Sequence, residues 1–404
     1  MGTPASTVNR FRPLYWLAFL KTITMSLTSA GTSSLLILEL HYPAWVAGIV
    51  SASYNMGFVV FLLIWSHLPE RMPRQRALRI LLSISVLTGA MRLLPLTNNT
   101  NLVIFGTFHF LEGGVSGLFW AILQSYTLVA LKDGTEARNA YLAGYNLGWN
   151  SGIIAAYGLG TVLVLFTGTN TSVFWANFFV SVMMAAVIFA MPSDGLEKAG
   201  NAPETGDPEN FQREDPVKAC QITDVFSPAF IFVLLLVHSF ADGALLVLGP
   251  LKIQELNLDS PYVYLLSLAK YACQTVTSTL GAKISEKNIH WAFQACPLII
   301  AAAWAVIGVA PELIMTLIAA IVSGAAQGIL YAVGLKTISN CAQKTNNTQY
   351  FSLFQITQGG GRGIGPFVMG YVGEANFLAG TGIIVAFGTF MGCAAIARQH
   401  SHHE

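Results

Sequence analysis

Gly113-Gly-Val-Ser-Gly-Leu-Phe-Trp-Ala121 and, 211 residues further on, Gly324-Ala-Ala-Gln-Gly-Ile-Leu-Tyr-Ala332 are the same pattern written twice. Gly113 aligns with Gly324, Gly117 with Gly328 and Trp120 with Tyr331. A second match follows at an offset of 209: Tyr141, Asn146 and Gly152 fall opposite Tyr350, Gln355 and Gly361. Two neighbouring matches at nearly equal offsets point to a chain built from two parallel half-repeats, each larger than a single supersecondary unit.

The surroundings of these stretches say where such a chain folds. Of its 404 residues, 54% are hydrophobic and only 10% charged, against about 25% charged in soluble domains. That leaves too little charge to cover a water-facing surface. The 37 glycines suit membrane helices, where small residues let backbones approach closely. A spanning helix needs about 20 apolar residues. Such segments occur near 13–38, 43–66, 77–97, 102–130, 139–166 and 172–191, and again near 226–250, 260–281, 291–309, 313–336, 349–372 and 378–397. The first runs past Leu36, too long for a signal-peptide core. The expected fold is an all-α membrane protein of twelve transmembrane helices in two six-helix pseudo-repeats.

Orientation follows from Lys and Arg, which favour cytoplasmic loops. With a cytoplasmic N-terminus, sixteen of the 21 Lys and Arg lie in inside segments and Lys252 alone lies in an outside loop, with Lys21, Arg92, Lys270 and Arg362 inside spans. Both termini are therefore expected in the cytoplasm, with the chain multi-pass in a cell (plasma or inner) membrane. Residues 192–222, rich in acids, Gly, Pro and Asn, read as a linker that buries no core. They separate an N-terminal bundle (1–191) from a C-terminal bundle (223–404).

The loop between the second and third spans reads Ser66-His-Leu-Pro-Glu70-Arg71-Met-Pro-Arg74-Gln-Arg76. It resembles the major facilitator signature G-x-L-x-D-R-x-G-R-[RK], with Ser66 and Pro73 in place of the two glycines. The resemblance implies that Glu70, Arg71, Arg74 and Arg76 form a charged latch between the halves. His109-Phe-Leu-Glu112-Gly113 is similar to the family's R-x-x-Q-G, with His for Arg and Glu for Gln. Gly361-x-x-x-Gly365-Pro366 carries, in the eleventh span, the motif that drug–proton antiporters of the family carry in the fifth. In that fold spans one, four, seven and ten line a central cavity.

Ionisable groups inside a bilayer are costly and mark functional sites. They concentrate on the lining spans and those beside them. Lys270 and Arg362 form a candidate clamp for a carboxylate or phosphate, as in organic-anion exchangers of the superfamily; the alternative is that each cation neutralises an acid such as Asp242 or Glu112. Gln355, Gln358, Trp120, Tyr145, Asn146, Trp149, Gln327, Tyr331 and Lys21 complete the candidate solute-binding set. Glu112 and Asp242 are candidate proton carriers, because low dielectric favours a neutral carboxyl, and His109 and His238 titrate nearby.

Other chemistries find no footing. GxSxG, P-loop and HExxH motifs are absent, so neither an enzyme nor a nucleotide-driven pump is expected. A net charge of +1 argues against nucleic acid. No cofactor or metal is called for. The five cysteines lack metal-ligand spacing and read as free thiols. Asn98-Asn-Thr and Asn170-Thr-Ser are glycosylation-type sequons on outside loops. The expectation is a monomeric secondary carrier of a small organic solute, an anion preferred, coupled to protons or to exchange within the lipid bilayer. Its competitors are proton-driven efflux of amphipathic compounds and a non-transporting scaffold on the same fold.

Overall fold

The computed structural model describes residues 4–65, 72–97, 101–132, 135–191, 226–281, 283–285, 288–345 and 349–400. These residues contain twelve long helices: α1 (Pro4–Ser34), α2 (Ala44–Trp65), α3 (Arg74–Thr97), α4 (Leu102–Lys132), α5 (Thr135–Thr167), α6 (Thr171–Ala190), α7 (Pro228–Glu255), α8 (Pro261–Gly281), α9 (Ile289–Val309), α10 (Leu313–Thr345), α11 (Gln349–Ala375) and α12 (Phe377–His400). A π-helical turn, Leu35–Glu39, prolongs α1. Several helices outrun the apolar segments that predict them. α1 begins at Pro4, α5 at Thr135, and α10 continues to Thr345, because a helix satisfies its own backbone hydrogen bonds after the apolar stretch ends. Lys252 lies within α7 rather than in a loop; it is buried, with Nζ 3.2 Å from Glu255 and 5.1 Å from the centre of the Phe377 ring.

Nine of these helices are long and apolar enough to cross a membrane. The other three, α1, α8 and α11, carry Lys21, Lys270 and Arg362. The distribution of side chains is that of a membrane protein: Phe166 is 83% exposed while Lys21, Glu112, Asp242 and Lys270 are buried. Bilayer lipid is the medium in which that arrangement is favourable.

The two halves pack alike. In the first, α2 lies on α4, α1 on α5 and α6, and α3 on α4 and α6. In the second, α8 lies on α10, α7 on α11 and α12, and α9 on α10 and α12. Adding six to each helix number turns the first set into the second. The quoted repeat is the reason. A Cβ on Gly113 would overlap the Tyr54 carbonyl of α2, and one on Gly324 would overlap the Lys270 carbonyl of α8. Gly117 and Gly328 make the same approach one turn on, to Phe58 and Gln274. The aromatic partners recur too: Trp120 meets Tyr145 at 5.8 Å between ring centres, and Tyr331 meets Phe354 at 5.5 Å. Gly113→Leu is expected to force α2 from α4 and lower stability by about 1–3 kcal/mol. Thermal unfolding in detergent checks this, and an unchanged midpoint contradicts it.

Both chain ends lie on one face of the bundle, here the terminal face, and the connections at residues 40–43, 168–170, 256–260 and 376 lie on the far face. The main contacts between the repeats are α2 with α11 and α5 with α8. They run along the far halves of these helices. Gly48 meets the Pro366 backbone and Gly370 meets that of Ala44, while Tyr157 stacks on Tyr271 at 5.1 Å. Residues 192–222, and with them the predicted linker, lie outside the described residues.

Candidate functional site

Two buried charge clusters occupy the middle of the bundle, one in each repeat. In the second, each contributing helix carries its ionisable residue near its middle.

In the second repeat Asp242 of α7 holds two cations. Lys270 Nζ of α8 donates to Oδ1, and Arg362 Nη2 of α11 donates to Oδ2 at 2.8 Å. His238, one turn earlier on α7, brings Nε2 to 3.9 Å from Oδ2. Lys270 is thus tied to an acid and only 1% exposed, while the Arg362 side chain keeps 20% exposure. A two-cation clamp in which both groups stand free is not what this geometry presents. The pair shares one carboxylate, and Arg362 is the member with donors to spare. It lines a small cavity of about 30 Å³ between the repeats, together with Asp242, Ser26, Tyr54, Asn55, Tyr157 and Tyr271. Such a space is room for water, not for a metabolite.

In the first repeat Lys21 of α1 pairs with Glu112 of α4 at 2.6 Å. Ser85 of α3 donates to the same oxygen at 2.7 Å, and Thr88 donates to the other. Arg92, also of α3, donates to Asn177 of α6 at 3.0 Å and to Thr28 at 3.3 Å. Lys21, proposed from sequence as a solute ligand, is fully buried in this network and does not line the cavity. Both Glu112 oxygens have protein donors, an arrangement that suits a structural ion pair. His109, a turn before Glu112, has no hydrogen-bond partner for either ring nitrogen and stacks on Phe105.

The remaining predicted residues divide by partner. Trp120 packs between Tyr145 and Trp149, the latter at 4.6 Å. Buried polar atoms without a protein partner occur on Trp120 (Nε1), Gln327 (Oε1), Gln358 (Nε2) and His238 (both nitrogens). Buried polar groups call for a partner, and the cavity between the repeats does not reach these four residues. Gln355 and Asn146 are half-buried. Of the predicted latch, Glu70 and Arg71 lie outside the described residues; Arg74 donates to Ser125 of α4 at 2.9 Å, and Arg76 is exposed. Sequence reasoning passed over Tyr54, Asn55, Tyr157 and Tyr271 as cavity-lining residues. Their signal was weak: hydroxyl and amide groups in apolar helices also serve packing. Of the five cysteines read as free thiols, Cys273, Cys296 and Cys393 are free, but Cys341 is disulfide-bonded, a pairing that linear spacing does not reveal.

The far face is closed by polar contacts. Glu39, placed by the π-turn at the N-terminus of α6, accepts from the Asn170 backbone and side chain and from Thr169 at 3.0 Å. Asn170 Oδ1 in turn accepts from the Tyr264 hydroxyl of α8 at 2.6 Å, joining the two repeats. The Asn170 side chain, although in the 168–170 connection, is thereby buried rather than presented to solvent. On the other side the Trp45 backbone N–H of α2 donates to Glu374 of α11 at 3.0 Å. A hydrogen bond is worth about 0.5–1.5 kcal/mol net. Tyr264→Phe should therefore raise the rate at which a cysteine placed at Ser29 is labelled from the far face, by about two- to tenfold. An unchanged rate would remove Tyr264 as a gate.

A model of the Major Facilitator Superfamily matches residues 14–287 and 231–401. The chain belongs to this superfamily. It is accordingly a multi-pass membrane transporter and not an enzyme. As a superfamily member it is a secondary transporter that works by alternating access. Similar solved structures agree on the fold. The nucleoside transporter NupG has a TM-score of 0.70 at 14% identity, covering 96% of this chain and 99% of that one. A bacterial homolog of the human lysosomal transporter Spinster, inward-facing and unoccupied, has 0.70 at 12% identity, covering 98% and 95%. The human organic anion transporter MFSD10 (TETRAN) has 0.60 at 13% identity, covering 98% and 99%. At these identities the likeness concerns the fold alone. No curated protein matches the chain.

Proposed function

We propose that this superfamily member carries a small organic anion, with Arg362 as its anchor and Asp242 as the group that governs access to it. The carrying observation is Arg362 itself. It sits at the middle of α11, between the repeats, where secondary transporters place their substrates. Only Nη2 is engaged, so the rest of the guanidinium is available for a bidentate bond to a carboxylate. The buried unpartnered atoms of His238, Gln327, Gln358 and Trp120 lie off the present cavity and would reach a solute only as the repeats part. The bundle would be inward-facing here, since the repeats meet along the far face and the terminal face is read as cytoplasmic from the Lys and Arg bias.

Coupling belongs to Asp242 rather than Glu112 in this reading. Asp242 lines the cavity and competes with a substrate carboxylate for Arg362 and Lys270. The solute carboxylate would take the free donors of Arg362 while Asp242 keeps its charge, and a proton arriving on Asp242 would then change how firmly the site holds it. Glu112 has no such outlet, because it does not line the cavity. Asp242→Asn should make transport independent of an imposed pH gradient, while a variant that keeps the wild-type pH dependence removes Asp242 as the coupling acid. Proteoliposomes with an entrapped pH dye make the measurement.

A further inference from the structure

We infer that the transported solute bears one negative charge, and that the charge count around Asp242 sets this selectivity. The inference deepens the anion-carrier reading and rests on it.

Among the described residues, the charged ones lining the cavity between the repeats are Asp242 and Arg362. Behind Asp242 stands Lys270, buried and bound to its other oxygen. Both oxygens of one carboxylate are therefore occupied by two cations, which leaves one positive charge unbalanced. His238, 3.9 Å from Asp242, is buried with no hydrogen-bond partner on either nitrogen and counts as neutral, because a buried unpaired charge is costly. Other buried charges lie in the first repeat. There Lys21 and Glu112 neutralise each other, and Arg92 is held by Asn177 and Thr28 away from the cavity lining. The other titratable groups on the lining, Tyr54, Tyr157 and Tyr271, are phenols and neutral at physiological pH.

An uncompensated charge in a low-dielectric site is unfavourable, and a monoanion removes it. A dianion replaces one excess charge by another of opposite sign. A neutral solute leaves the excess in place. Discrimination between these classes thus comes from repulsion and desolvation as much as from attraction. The hydroxyls of Ser26, Ser29 and Tyr54 and the amide of Asn55 would then select solutes with hydrogen-bonding groups, without altering the preferred charge.

The site can be stepped through three charges. The wild type carries +1, Asp242→Asn carries +2, and Lys270→Met carries zero. Thermal unfolding of each purified protein would be followed with matched amide, monoacid and diacid probes: lactamide, lactate and malate, then benzamide, benzoate and phthalate. Ligands that bind only the folded state raise the midpoint in proportion to affinity and concentration. The wild type should bind the monoacid of a responsive set about tenfold more tightly than its diacid. Asp242→Asn should reverse that order, and Lys270→Met should move it towards the amide. Should one variant fail to fold, the other still reports a change of rank. A wild type that prefers the diacid, or variants that keep the wild-type order, overturns the charge rule alone. A wild type that responds to amides and to none of the anions overturns the anion-carrier reading, and this inference with it.

Discussion

Arg362→Ala should abolish solute transport while leaving the protein folded. Among the described residues, the guanidinium is the one cation that both lines the cavity and retains unused donors. Removing it takes away the charge that binds the solute and leaves Asp242 with Lys270 as a neutral pair. Loss of a charge-assisted, partly desolvated contact costs about 2–5 kcal/mol, so uptake at low solute concentration should fall by roughly two to three orders of magnitude. Arg362→Lys keeps the charge but loses the fork, and should recover only a small part of the activity. Initial rates in proteoliposomes, with the folded fraction read by size-exclusion chromatography, make the comparison. Wild-type rates in Arg362→Ala would end the anchor assignment.

Glu112→Ala should act on stability instead. The carboxylate joins α1, α3 and α4 through Lys21, Ser85 and Thr88. Its removal strands the Lys21 ammonium in the interior with only Ser85 as a partner. Breaking one side of a buried ion pair costs about 3–5 kcal/mol, a large share of the stability of any domain. Lys21→Met should be similarly damaging, because it leaves Glu112 charged and buried. The double change Lys21→Met/Glu112→Met removes both charges and should recover most of the loss. A full recovery of folding in the double variant with transport intact would confine this cluster to a structural role. Transport lost despite recovered folding would assign it a part in turnover.

Much of the architecture was legible in the residues because membrane helices are governed by few rules. Length and hydropathy locate the spans, and the repeated small-residue pattern marks where helices touch. Gly113 and Gly324 show this most clearly, since both lie against the backbone of the helix two places earlier in their own repeat. Their match in sequence is a match in packing. The polar face of α4 was legible for a related reason, as His109, Glu112, Ser116 and Trp120 recur at helical spacing.

Which charge meets which was not legible. Lys21 and Glu112 are 91 residues apart and Asp242 and Arg362 are 120 apart. Helical periodicity places each on a face of its own helix but does not name the helix opposite. The sequence therefore allowed Lys270 and Arg362 to be read either as a free clamp or as partners of acids. Tertiary packing decides that Asp242 takes both. It also separates Lys21 from the cavity, although Lys21 shares the composition of a ligand residue. The polar closure of the far face was invisible for a further reason. Glu39 reaches Asn170 only because the π-turn at Leu35–Glu39 redirects the end of α1, and nothing in the apolar run announces that turn.

Efflux from loaded proteoliposomes distinguishes a gradient-driven carrier of a singly charged organic anion, anchored by Arg362, from the alternatives. Vesicles containing wild-type protein or Arg362→Ala would be filled with a mixture of organic acids, sugars and nucleosides, and diluted into buffer free of ATP. Mass spectrometry of the external medium would then show which solutes leave. One or more monoanions should leave the wild-type vesicles down their gradient and be retained by the Arg362→Ala vesicles. Selective release of neutral solutes alone, release that requires ATP, or equal release by both proteins would contradict it.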